Sequence, residues 1–246
     1  YPLAYIYRQF IFTTSKLINH LFIITTGLFI LYFNYGFDLY HVILAVSVEF
    51  IFVHTLKGSV LTSVSFIFHL GYLLVGYYYT SSDTYDIKWT MPHCVLVLRL
   101  IGLSFDVADG KRPPEKLSNE NKKTCLDKAP GLLEIFSFAL FPASLLIGPQ
   151  FPFRRYSSFI NKDFAKYTGN MRAGLIRGGI GLAYLVVHQV GAMFVYDDYL
   201  LSEEYANSAY LYKLVILGMW GRVALYKYIS CWLLAEGVAS CFGDLG

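Results

Sequence analysis

Seven apolar stretches, most of them about twenty residues long and separated by polar connectors, dominate this 246-residue sequence. An α-helix needs roughly 20 mostly apolar residues to cross the hydrocarbon core of a bilayer, so each stretch can span or enter a membrane. The sequence therefore predicts an all-α fold, a polytopic membrane helix bundle with about six to eight membrane segments in a single transmembrane helical domain, 1–246. The predicted segments are 16–34, 38–57, 59–80, 89–105, 131–153, 172–195 and 210–241.

Composition narrows the functional classes. Hydrophobic residues make up 56% of the chain and charged residues only 15%, whereas an average soluble domain is roughly 25% charged. This balance excludes a disordered chain, a coiled coil and most soluble enzymes. The four cysteines show no C-x-x-C pairing, so we expect no disulfide framework and no zinc or other metal site. The basic loops are too small for a nucleic-acid-binding face, so we expect no nucleic-acid partner.

The distribution of charge indicates how the segments enter the membrane. Six basic residues lie in 111–128, a second basic loop covers 153–172, and 197–204 is acidic. Simple alternation would place the two basic loops on opposite sides, against the positive-inside rule. The conflict disappears if 131–153, interrupted by Pro142 and Pro149, enters and leaves by the same face. We therefore predict one re-entrant segment that walls an internal chamber, with both basic loops cytosolic and the acidic loop lumenal.

Several short runs of residues resemble a known family. The most specific is YDIKWTMPHC at 85–94, and it is accompanied in the same order by other matching runs along the whole chain. Together they resemble the membrane-bound O-acyltransferase family. The further runs are YPLA (1–4), LLVGYYYT (73–80), GPQF (148–151), DYLL (198–201), LYKY (225–228) and CWL (231–233).

The resemblance implies a multi-pass enzyme of the endoplasmic reticulum membrane that re-acylates lysophospholipids at the sn-2 hydroxyl. Its partners would be acyl-CoA as co-substrate, a lysophospholipid and membrane lipids, with no cofactor; the oligomeric state stays open. In the family, a histidine in a Trp-His-Gly setting acts with an upstream asparagine. This sequence has no Trp-His-Gly, so the resemblance implies that both residues lie beyond Gly246 and that the chain is an N-terminal and central part without the catalytic base.

Substrate-binding candidates follow the proline-broken segment. The resemblance draws attention to Gly148, Pro149 and Gln150. Arg154 and Arg155 follow directly, and their guanidinium forks match phosphate geometry, so they are candidates for the coenzyme A phosphates at the cytosolic mouth. The alternative is that the two arginines only orient the segment through the positive-inside effect.

Ionisable residues inside apolar stretches form a second group of candidates. Arg222 and Glu236 are too far apart along one helix to pair with each other, so each needs a partner on another helix or a polar chamber; Glu49 has the same need. These three residues could line the chamber or form hydrogen bonds between helices, and the sequence leaves both interpretations open. His188, in an apolar helix, is a weaker candidate for a catalytic base. The alternative, which we favour, is that His188 forms a hydrogen bond between helices.

Two carboxylates and two other function classes complete the predictions. Asp106 and Asp109 are three residues apart and fit either acid–base or metal chemistry, or a helix end with Asp109-Gly110 as its turn, which we favour.

A transporter or channel segment is an alternative function, but no internal repeat supports it. A non-catalytic membrane partner protein is a third.

Overall fold

The apolar stretches form helices in the computed structural model of the chain, which describes residues 1–82, 88–164, 170–195 and 197–243. Apart from short 3-10 and π segments, the regular structure of these residues is α-helix, and they contain no strand. In chain order the α-helices are α1 (Pro2–Ile6), α2 (Lys16–Tyr35), α3 (Tyr40–Thr55), α4 (Gly58–Thr80), α5 (Thr90–Asp109), α6 (Asn121–Thr124), α7 (Leu132–Ala139), α8 (Phe153–Ile160), α9 (Asn170–Phe194), α10 (Asp197–Leu200), α11 (Glu203–Asn207) and α12 (Tyr210–Gly243).

Within the described residues, four helical stretches are long and apolar enough to cross a membrane: Lys16–Thr55, Gly58–Thr80, Thr90–Asp109 and Met171–Phe194. Large apolar side chains cover their outer surfaces, which is the pattern expected where lipid replaces water. The all-α membrane-helix fold expected from the sequence is thereby confirmed. Helix α12 is a single long helix and is not among the four stretches; it carries charged side chains along its length.

The proline-broken stretch 131–153 differs from the other apolar stretches because only its first third is helical. Helix α7 begins where the Glu134 carboxylate accepts a hydrogen bond from the Gly131 N–H at 2.7 Å, and it ends at Ala139. Turns and irregular backbone follow to Pro152, because Pro142 and Pro149 cannot donate helical hydrogen bonds. We refer to 140–152 as the broken segment.

The two longest helices, α9 and α12, pack against each other through small residues. A Cβ on Gly174 would lie 2.5 Å from the Gly237 carbonyl oxygen and 2.5 Å from Cys241 Sγ. Only a residue without a side chain permits that approach, which is the way helices associate closely in lipid. The glycine-rich sequence of α9 predicts such packing.

An aromatic core joins the N-terminal helix, the broken segment and the last turn of α12. The Tyr7 ring lies 5.5 Å from the Phe159 ring and 5.3 Å from the Phe242 ring, and Phe141 lies 5.1 Å from Phe242. Tyr7 belongs to a π-helical turn that continues α1, and this N-terminal element was not predicted from the sequence. The core holds the broken segment against α2 and α8, next to the candidate site.

Candidate functional site

A buried arginine of α5 holds the broken segment in place. Arg99 is only 4% exposed. Its guanidinium donates to the carbonyl oxygens of Phe138 and Ala139, both at 3.2 Å, and to the Ser144 carbonyl oxygen at 2.8 Å. Helix ends leave carbonyl groups without partners inside the helix, and the five N–H donors of one arginine can satisfy several of them. Arg99 therefore replaces the hydrogen bonds that α7 loses where it stops.

A cavity of about 360 Å³ opens between α5, the broken segment and the first turn of α8. Apolar side chains make most of its wall, and Arg99, Asp106 and Gln150 contribute the polar groups. The Arg99 guanidinium lies 5.5 Å from the centroids of both the Phe138 and Phe151 rings, a separation at which cation–π attraction acts. The site thus combines a mostly apolar wall with a fixed positive charge. We call it the Arg99 cavity.

Gln150 is the candidate residue that the structure brings to this cavity. Its amide N–H donates to the Val95 carbonyl oxygen at 2.8 Å, and its Oε1 accepts from Arg99 Nε at 3.3 Å, so both ends of the amide bind α5. Gly148 and Pro149 directly precede Gln150 and do not line the cavity. Gly148 has a φ of +117°, a backbone conformation that favours glycine, and it turns the chain toward Gln150.

Arg154 and Arg155 follow the cavity in the first turn of α8. Arg154 is exposed and donates to the carbonyl oxygens of Lys122 and Cys125, both at 3.4 Å, in the basic loop. The Arg155 guanidinium lies 5.8 Å from the Phe164 ring centroid. The contact of Arg154 brings the two basic stretches to the same end of the bundle, the arrangement that a re-entrant 131–153 requires. Residues 165–169 of the second basic loop, with Lys166, lie outside the described residues.

The remaining ionisable candidates lie on α12 and α9, away from the Arg99 cavity. Glu236 approaches Arg177 of α9 to 3.6 Å, so its contact is between helices. Arg222 donates to the Tyr226 hydroxyl at 3.1 Å, a partner on its own helix, whereas the sequence predicted a partner on another helix or a polar chamber. His188 donates from Nδ1 to the Val223 carbonyl oxygen at 2.8 Å. This bond joins α9 to α12, as the alternative interpretation of His188 expects.

The two carboxylates of α5 have separate environments. Asp106 lines the Arg99 cavity, whereas the Asp109 carboxylate accepts from Asn121 at 2.8 Å and pairs with Arg112 at 3.0 Å. Helix α5 ends at Asp109 with Gly110 as its cap. This arrangement agrees with the helix-end interpretation of Asp109. Helix α5 therefore extends four residues beyond residue 105, the boundary predicted from the sequence.

A second polar group is buried between α3 and α4. Glu49, the sequence candidate, accepts from the Ser65 hydroxyl at 2.7 Å and from His69 Nε2 at 3.0 Å, and the Glu49 and His69 side chains are fully buried. His93 of α5 is also fully buried, and among the described residues neither of its ring nitrogens has a hydrogen-bond partner. Glu49 thus has a partner on another helix.

A tyrosine lies deep in the aromatic core, next to the broken segment. Burial raises the pKa of the Tyr156 hydroxyl well above its usual range, so it stays protonated. Its oxygen lies 3.4 Å from His20 Nδ1, and that nitrogen lies 2.6 Å from the Ser137 hydroxyl. These neutral groups link α2, α7 and α8.

Sequence reasoning missed Arg99, although a signal was present. A single arginine inside the apolar run VLVLRLIGL has a high free-energy cost in a membrane helix. It therefore indicates a polar partner in the interior of the bundle. The identity of its acceptors depends on where α7 ends, which the sequence alone does not determine. Asp106 was assigned to the helix end, and its position at the cavity was missed as well.

Comparison with known proteins connects this architecture to a family. Residues 74–245 match the model of the MBOAT, membrane-bound O-acyltransferase family. The chain is 46% identical to "Lysophospholipid acyltransferase 5" of Drosophila melanogaster, with 99% of this chain and 50% of that protein covered. It is 40% identical to the Homo sapiens protein of the same name, over 99% of this chain and 51% of that protein. The Caenorhabditis elegans protein of that name is 37% identical over 100% of this chain and 53% of its own length. The chain spans about half the length of these relatives.

Proposed function

The chain belongs to the membrane-bound O-acyltransferase family, and on that basis we propose that the protein carrying it transfers an acyl group from acyl-CoA to the sn-2 hydroxyl of a lysophospholipid. The observation that supports this most is the similarity over the whole chain, at 37% to 46% identity, to proteins named lysophospholipid acyltransferase 5. The substrate class follows from those names.

The proposed reaction needs a site open to a charged donor and to a lipid acceptor. The lysolipid hydroxyl attacks the thioester carbonyl carbon, a C–O bond forms, the C–S bond breaks, and coenzyme A leaves as its thiol after receiving the proton of the hydroxyl. The mostly apolar Arg99 cavity suits an acyl chain, and the fixed charge of Arg99 favours an oxygen that gains negative charge during attack.

The donor end of this proposal rests on charge. Coenzyme A carries several phosphate groups, and Arg154 and Arg155 follow Phe153, which lines the Arg99 cavity. Arginine binds phosphate oxygens in a bidentate manner. We assign the phosphates to this end of the bundle, next to 111–128, where six further basic residues lie.

The proton acceptor is proposed to lie outside residues 1–246, since the Trp-His-Gly motif of the family does not occur among them. A neutral imidazole can take the proton of the hydroxyl during attack. His188 is not assigned this role because it does not line the Arg99 cavity and its ring bonds the Val223 carbonyl oxygen between two helices. We also propose that the protein resides in the endoplasmic reticulum membrane.

A reconstituted assay tests the proposal. The full-length protein in nanodiscs, supplied with labelled acyl-CoA and lysophosphatidylcholine, is expected to form labelled phospholipid whose label is released by an sn-2-specific phospholipase. Residues 1–246 alone are expected to give background rates. Absence of product from the full-length protein would overturn the proposed function, and turnover by 1–246 that His188→Ala abolishes would move the base to His188.

A second experiment tests the donor end. Arg154→Ala combined with Arg155→Ala should raise the KM for acyl-CoA more than that for the lysolipid, because the acceptor is a zwitterion and the donor is polyanionic. Lysine at both positions should restore part of the loss, since it keeps the charge but not the fork. An unchanged KM for acyl-CoA with inverted topology would instead make the pair an orientation signal.

A further inference from the structure

A second cavity, of about 320 Å³, lies where α3 and α5 begin and α4 ends. Aromatic rings dominate its lining, and three different elements supply them. We call it the aromatic cavity; its ring-bearing lining residues are Tyr40, His41, Tyr72, Tyr79 and Trp89.

Four of these rings, those of Tyr40, His41, Tyr72 and Trp89, are held by packing and hydrogen bonding. Trp89 stacks on His41 with ring centroids 3.5 Å apart and planes only 8° apart, and Tyr40 lies 3.9 Å from His41 on the same helix. His41 Nδ1 is 2.6 Å from the Tyr72 hydroxyl. Such fixed rings form a binding wall without losing side-chain freedom when a ligand arrives.

Trp89 belongs to this wall rather than to an interfacial belt. It is only 7% exposed, because its ring inserts against Gly76, where an added Cβ would lie 2.7 Å from the Trp89 ring. Tyr40 and Tyr79 of the lining are 54% and 79% exposed, and the neighbouring Tyr78, which does not line the cavity, is 80% exposed. The aromatic cavity is therefore a recess with the buried Trp89 in its wall and the two exposed tyrosines, Tyr40 and Tyr79, at its mouth.

The cavity has the position and charge expected of a site for a lipid headgroup. Helix α5 carries Trp89 before its first turn and the 111–128 loop after its last, so the two ends lie about 30 Å apart, the thickness of a hydrocarbon core. Asp38 is exposed in the 3-10 turn that directly precedes α3, two residues before Tyr40. At the rim, the Lys88 ammonium donates to the Thr80 carbonyl oxygen and to the Ser82 hydroxyl.

We propose that the aromatic cavity binds the phosphocholine headgroup of a membrane lipid. A trimethylammonium group has no N–H to donate and is recognised by electron-rich rings, which attract it through cation–π contact. The Asp38 carboxylate favours the same cation, and the Lys88 ammonium at the rim favours the phosphate that follows it in the headgroup. A cavity of this size lies at the lower end of the range for small-molecule sites.

Ligand binding in choline-free dodecyl maltoside micelles tests the proposal. The full-length protein is titrated with dihexanoyl-phosphatidylcholine and with dihexanoyl-phosphatidylethanolamine, and the dissociation constants are measured by calorimetry. Saturation transfer from ring protons to the choline methyl protons reports contact with the aromatic wall. We expect the choline lipid to bind about tenfold more tightly, because the primary ammonium of ethanolamine is strongly hydrated and contacts rings less favourably.

Tyrosine variants locate the binding. Tyr40→Leu combined with Tyr79→Leu removes two exposed rings and should weaken binding of the choline lipid about tenfold. The matched control, Tyr40→Phe with Tyr79→Phe, keeps the rings and should bind within about twofold of the parent. Tyr210→Leu, at an exposed tyrosine of α12 that does not line the cavity, should have no effect. Thermal unfolding of each variant checks that the fold is retained.

The outcome separates this proposal from its rivals and from the proposed function. Unchanged binding in the leucine pair, an equal loss in Tyr210→Leu, or equal affinity for both headgroups would overturn it. Adding lysophosphatidylcholine identifies the source: exclusive binding of the lyso form makes the occupant the acyl acceptor, which rests on the proposed function, whereas binding of both forms makes it any choline lipid of the bilayer. No acyl donor is present, so the result is independent of acyl transfer.

Discussion

At the scale of single residues, Arg99 makes the strongest prediction. Arg99→Lys keeps the charge but offers three donors from one point instead of a planar fork, so several of its four acceptors lose their partner. We expect a loss of about 2–4 kcal/mol in unfolding free energy, since hydrogen bonds from charged groups contribute roughly 1.5–3 kcal/mol each. Arg112→Lys, at an ion pair whose arginine is half exposed and whose charge lysine keeps, should change stability by less than about 0.5 kcal/mol. Equal unfolding midpoints for the two variants in detergent would contradict this role of Arg99.

The buried pair of Glu49 and His69 gives a second residue-scale prediction. Glu49→Leu leaves His69 Nε2 without its partner, and His69→Leu leaves a buried carboxylate with Ser65 as its remaining donor. Each single variant should lose about 2–4 kcal/mol, whereas the double variant should lose at least about 1 kcal/mol less than the sum. A double-mutant cycle of unfolding midpoints measures the difference. Simple additivity would show that the two side chains do not act as a pair.

At the scale of elements, the packing of α9 on α12 predicts opposite effects for two glycines of one helix. Gly174→Ala places a methyl group against the backbone of Gly237 and should destabilise by about 1–3 kcal/mol through overpacking. Gly179→Ala meets nothing within 4 Å, so it should stabilise by up to about 1 kcal/mol, the difference in helix propensity. Thermal unfolding of both variants tests the prediction, which fails if Gly174→Ala is neutral.

At the scale of the whole molecule, the contact between Arg154 and the 111–128 loop predicts the membrane topology. Single cysteines at Ser118 and Asp163, introduced after the native cysteines are replaced by serine, should react with an impermeant thiol reagent from the same, cytosolic side of sealed microsomes. A cysteine at Glu203, in the acidic stretch, should react only after the membrane is opened. Opposite accessibility of positions 118 and 163 would mean that 131–153 crosses the membrane completely.

The sequence predicts elements better than contacts, for a physical reason. The bilayer thickness sets the length of an apolar helix, so the starts and ends of α2 and α4 follow closely from the amino-acid pattern. Prolines likewise indicate where 131–153 loses its helix. The partners of Arg99 and Glu49 depend on how helices from distant parts of the chain are juxtaposed, and no local pattern encodes that. Gln150 reaches a cavity, whereas Arg222 finds its partner one turn away on its own helix.

The contact between residues 1–7 and residues 234–242 has a consequence for the order of events during synthesis. The Tyr1 hydroxyl donates to the Leu234 carbonyl oxygen, 233 residues later, and Tyr7 packs against Phe242 in the same aromatic core. At about 5–20 residues per second, roughly 12–50 s separate the appearance of these partners. The first helices must therefore wait in the membrane with one side of their core open, and that delay is when an insertion chaperone would have its greatest effect on yield.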